Sequence, residues 1–114
     1  MKKEFTSNQI IDAAIQDGIF GDLLPETTDK FYDWLPDNVH VVRAFYEAAH
    51  MLHSTGKREY YSLYCIREKL RWDSMVSEVG TKFKLSNNVT PHLARLVMAL
   101  DPHLNGMFKL KSTV

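Results

Sequence analysis

The sequence has a single cysteine, Cys65, in 114 residues. No intrachain disulfide can form. A secreted domain of this size is usually stapled by several, so a reducing cytoplasm is the expected compartment. Long apolar runs are missing too. No stretch approaches the roughly 18 uninterrupted apolar residues of a membrane span. The basic start Met1-Lys2-Lys3 is followed by Thr6, Ser7, Asn8, Gln9 and Asp12. These break the apolar run that a signal peptide needs. Catalytic motifs are equally scarce. Gly18-x-x-Gly21 is too sparse for a phosphate loop, and no serine sits in a nucleophile elbow. No linker, low-complexity tract or larger repeat divides residues 1–114, so one domain is expected. The expectation on chemistry is a non-enzyme without cofactor or metal.

Net charge is also absent, with 14 Lys and Arg against 14 Asp and Glu. The balance is uneven along the chain. Residues 1–56 carry four cations against nine carboxylates, and residues 57–114 carry ten against five. Such a split points to a polyanion or acidic partner for the basic half, or to mutual attraction between the halves.

Hydrophobic periodicity predicts mostly helix. Thr6 and Gln9 have capping-box spacing ahead of Ile10, Ile11, Ala14 and Ile15, with Gly18 as the stop. Pro25 starts a short helix carrying Phe31, Trp34 and Leu35, and Pro36 closes it. These aromatics read as a cap on the core, with a ligand-stacking platform as the alternative. Pro36-Asp37-Asn38 then caps the strongest helix, with Val42, Phe45, Tyr46, Ala49 and Leu52 at the helical period and Gly56 at its end. Ser62 caps the next, which runs through Ile66, Leu70 and Trp72 to Val76 and turns Arg67, Lys69 and Arg71 outward.

After that the period changes. Residues 81–86 and 107–111 alternate polar and apolar as strands do, and between them Thr90-Pro91 opens a helix with Leu93, Leu96, Val97 and Leu100 as its stripe. The predicted class is mainly α with a small two-stranded β-ribbon, and the C-terminal half has a winged-helix-like layout. If the strands pair, Lys82, Lys84, Lys109 and Lys111 cluster on one face, which favours an anion opposite them. In a winged helix the second helix enters the major groove at its N-terminal turn. Asn87, Asn88, Thr90 and His92 would then meet base edges or phosphates, with Arg95 one turn along and Lys109 and Lys111 on the backbone.

Two weaker constellations remain. Glu47-x-x-His50 has di-iron spacing, but the chain holds one copy, and His53 adds no complete ligand set. The pair reads as a polar helix flank with partly exposed histidines. Cys65 lies inside an amphipathic helix and reads as a small buried core residue.

The pattern Tyr61-Ser62, Ile66, Leu70-Arg71-Trp72, Phe83-Lys84-Leu85-Ser86-Asn87-Asn88, Ala94-Arg95-Leu96, Pro102, Gly106 and Phe108 resembles a group of small proteins of bacteriophages, prophages and bacterial genomes. The resemblance covers residues 61–108 and implies no catalytic residue. It implies a mobile-element context in a bacterial cytoplasm. Proteins of that kind bind nucleic acid, or bind and block a host enzyme or defence complex, as anti-CRISPR proteins do. A nucleic acid or a host protein is therefore the expected partner.

Overall fold

Thr6 begins the first helix by satisfying free amides at its start. Its hydroxyl accepts from the Gln9 N–H at 3.1 Å, and the Gln9 side chain accepts from the Thr6 N–H at 2.8 Å. This α1 spans Ser7–Ala14 and buries Ile10, Ala13 and Ala14. The computed structural model describes residues 3–16, 18–76 and 89–109. Within them four further α-helices follow: α2 (Pro25–Trp34), α3 (Val39–Ser54), α4 (Leu63–Val76) and α5 (Thr90–Leu100).

Pro25 opens α2, where its missing N–H costs no bond. Pro36 does not end the chain's helical path. It sits inside a 3₁₀ turn, Leu35–Asp37, which carries the buried Leu35 inward. The Asn38 side-chain amide then donates to the Trp34 carbonyl at 2.7 Å, fastening the end of α2 to the start of α3. Helix α3 buries Val39, Val41, Val42, Phe45, Tyr46, Ala48 and Ala49, a stripe wide enough to meet several neighbours.

Helix α5 is enclosed further. His92, Leu93, Ala94, Arg95, Leu96 and Val97 are all buried in succession, together with Thr90. A helix covered on every side is a core helix, not a surface one. It packs against α1, α3 and α4, and its His92 ring stacks on Phe31 of α2 at 5.0 Å between centroids. The ligand-platform alternative for the α2 aromatics gives way here, since Phe31 is 0% exposed and belongs to the core.

The winged-helix expectation is corrected at this point. The described residues contain no strand, only an isolated parallel bridge between Tyr61 and Phe108. Over 107–109, the described part of the second predicted strand, Met107 and Phe108 are both buried, so the expected two-residue alternation is absent. Its partner at 81–86 lies outside the described residues, as do residues 110 and 111. Thr90 is not the cap either: Val89 takes that position in a helical conformation, and no side-chain capping bond is made there.

Polar groups in this core are paired, and no buried side-chain nitrogen or oxygen among the described residues lacks a partner. Arg95 donates to Asp22 twice, at 2.8 and 2.6 Å, and to the Pro91 carbonyl at 2.9 Å. The Tyr46 hydroxyl donates to Asp101 at 2.7 Å and accepts from the Lys3 N–H at 3.0 Å. Thr28 and His92 share a hydrogen bond of 3.0 Å. The Arg95–Asp22 pair ties the basic half to the acidic one, so part of the charge split serves the fold.

Candidate nucleic-acid interface

The buried face of α4 is set by Leu63, Ile66 and Leu70 at the i, i+3, i+7 spacing. Each residue turns the helix by about 100°, so the arc running from Arg67 through Tyr64 and Trp72 to Lys69 faces away from the core. Trp72 is 68% exposed and Tyr64 44%, and Tyr60 just ahead of the helix is 48% exposed. Two of the corrections to the sequence reading fall on this face. Trp72 continues no apolar stripe, and Cys65 is exposed because it precedes the inward Ile66 by one residue.

Cations interleave with these rings. Lys57, Arg58, Lys69, Arg71 and Lys109 are exposed and Arg67 is half-buried. The Arg67 guanidinium lies 4.8 Å from the Tyr64 ring centroid, and the Lys109 ammonium lies 5.7 Å from that of Tyr60. Both arrangements hold an aromatic face and a positive charge side by side. Glu68 sits among them, and Arg67 and Arg71 donate to it at 3.0 and 3.3 Å. Its hydrogen bond from Arg67 comes first in holding the Glu68 carboxyl below its ordinary range, with Arg71 adding to the effect. Over residues 57–72 with Lys109, six cations face two carboxylates, Glu59 and Glu68.

Lys109 reaches this face through the Tyr61–Phe108 bridge. The Tyr61 N–H donates to the Met107 carbonyl at 2.8 Å and clamps the end of the 56–61 turn to the C-terminal segment. Gly56 makes that turn with φ +61°, where a side chain would be strained. The Tyr61 hydroxyl then accepts from the Arg58 N–H at 3.2 Å and shares a hydrogen bond of 3.1 Å with Thr55. The Thr55 contact leads in pulling the Tyr61 phenol below its usual range.

The residues expected at the interface are thus divided. Thr90 and His92 are 0% and 1% exposed, and Arg95 is 6% exposed in its ion pair. They cannot meet a base edge from inside the core, where their apolar neighbours and Asp22 already surround them. Lys109 is at the surface. Lys82, Lys84, Asn87, Asn88 and Lys111 lie outside the described residues. Sequence reasoning placed Arg67, Lys69 and Arg71 outward but did not join them to Tyr60, Tyr64 and Trp72. Their interleaving with basic residues over 57–72 is the signal that was available.

Other constellations stay dispersed. His50 and His53 are half-buried, with His53 edge-on to His103 at 5.2 Å. Among the described residues no group of three or more His, Cys, Asp or Glu is placed to hold a metal ion, and no helix is long and apolar enough to cross a membrane. No family model, curated protein or solved structure matches the chain.

Proposed function

We propose that the chain is a small accessory protein that binds nucleic acid through the outer face of α4, not through the helix beginning at Thr90. The observation that carries this reading is the exposure of Tyr60, Tyr64 and Trp72 within residues 57–72, a stretch with five cations, where Arg67 lies against the Tyr64 ring and Lys109 against that of Tyr60. Phosphates are attracted by the cations, and every base has a π-face to lay on an exposed ring, so such a surface binds with little sequence preference.

A second reading has support from α2. Glu26, Asp29, Asp33 and Asp37 are exposed along it and its 3₁₀ extension. That row offers a basic host protein a complementary surface, which is the inhibitor alternative.

Fluorescence anisotropy with a labelled oligonucleotide tests the first reading. Binding is expected at about 50 mM salt, weakening steeply by about 200 mM. The double variant Arg71→Glu, Lys109→Glu is expected to lose at least tenfold in affinity while its circular dichroism stays unchanged. Absence of binding at the lower salt overturns the proposal, and so does full affinity in the double variant.

A further inference from the structure

Beside the α4 face, the end of α3 and the start of α4 enclose a cleft of about 400 Å³. Leu52, Thr55, Tyr61, Ser62 and Cys65 line it together with the exposed Lys57 and Arg58. From this geometry we infer that the cleft receives one unstacked base of a single-stranded nucleic acid, whose phosphate rests on Lys57 and Arg58. The inference depends on the nucleic-acid reading and narrows it from a polyanion surface to a strand with free bases.

Three observations point the same way. The size falls within the range of small-molecule sites, and the lining surface is mainly apolar but includes two cations. A nucleotide has that same division, a flat and weakly polar base joined to an anionic phosphate. The walls are also held in place. Tyr61 is fixed at its hydroxyl by Thr55 and the Arg58 N–H and at its own N–H by Met107, so no side-chain reordering is needed to open the slot. Finally, the cleft meets the outer face of α4 at Cys65, which lines the one and is exposed on the other. A strand lying along α4 therefore brings a base to the opening. A duplex cannot offer one without unpairing and unstacking it.

Cys65 makes the inference testable, because it is the sole cysteine of the sequence and lines the cleft. The rate at which the native protein reacts with a chromogenic disulfide reagent is measured alone, with saturating oligothymidylate, and with saturating inorganic polyphosphate. Polyphosphate carries the charge without the bases. Oligothymidylate is expected to slow the reaction at least tenfold and polyphosphate less than twofold. By reciprocity, protein alkylated with N-ethylmaleimide should bind oligothymidylate about tenfold more weakly and polyphosphate as before. Equal protection by both polymers, or protection by neither while oligothymidylate still binds, overturns the cleft and leaves the α4 surface standing. Failure of both polymers to bind at about 50 mM salt removes the two proposals together.

Discussion

Arg95 shows how one residue can be placed correctly on a helix and misread in role. In the sequence it is the only cation of α5 and so the natural contact for a phosphate. In the structure its side chain is buried and directs its donors to Asp22 and the Pro91 carbonyl. The consequence is measurable. Asp22→Asn leaves the guanidinium without its counter-charge. Because Asp22 itself is 46% exposed and water can partly replace it, the expected loss is about 1–2 kcal/mol, below the 3–5 of a fully buried pair. Chemical denaturation should show it, with oligonucleotide affinity unchanged. The same pair sets a pH dependence. The hydrogen bond from Arg95 holds the Asp22 carboxyl below its ordinary value, so its contribution is complete above about pH 4 and declines as pH falls through the lowered value. Asp101 behaves alike: burial alone would raise it, but the Tyr46 hydroxyl, the His103 N–H and Lys3 together bring it down. Stability should therefore fall on the acid side of pH 4, and less steeply in Asp22→Asn.

At the scale of the helix, α4 and α5 divide the basic half between surface and core. Glu68 gives α4 its own test. It holds two guanidinium groups that a phosphate would otherwise engage. Glu68→Gln removes a negative charge and loosens both, so oligonucleotide binding should tighten about threefold or more. An unchanged or weaker affinity would mean that Arg67 and Arg71 take no part. The helices themselves were largely legible in the sequence. The Thr6–Gln9 box, the Pro25 start and the long α3 period all lie where local chemistry puts them. Faces were legible only where one stripe is apolar and the rest polar. Helix α5 violates that condition: Leu93, Ala94, Leu96 and Val97 leave scarcely a polar side, and periodicity alone does not reveal how many neighbours surround such a helix. Cys65 and Trp72 failed for a related reason. Both are apolar types next to inward positions, and a shift of one residue reverses the face. Among the described residues the expected strand pattern gives way at Met107 and Phe108, which serve as consecutive core residues.

Over the whole molecule, formal charge sums to zero while its two signs are unevenly distributed along the chain. The basic α4 face and the exposed carboxylates of α2 belong to elements that are not among the main packing partners of the fold. At physiological salt the screening length is about 8 Å, short against the 34 × 32 × 26 Å body, so a bound strand responds to nearby cations and not to the total. This gives a bounded salt dependence. With six cations on the face and about 0.7 counterions released per phosphate contact on a single strand, the slope of log K against log salt should be no steeper than about −4. Titration at several salt concentrations checks this. A much steeper slope would require cations beyond this face, and a slope near zero would remove the electrostatic basis altogether.

The Tyr61–Met107 hydrogen bond has a consequence for how the protein comes into being. The turn that carries Lys57, Arg58 and Tyr60 is anchored by a residue that the ribosome supplies only after α4 and α5 have both been made. During synthesis the acidic helices can gather first, with Thr6 and Pro25 starting them from local signals. The binding surface closes last, when Met107 and Phe108 arrive beside Tyr61. A nascent or truncated chain ending before Met107 would carry every cation of α4 and still lack the ordered turn that presents them.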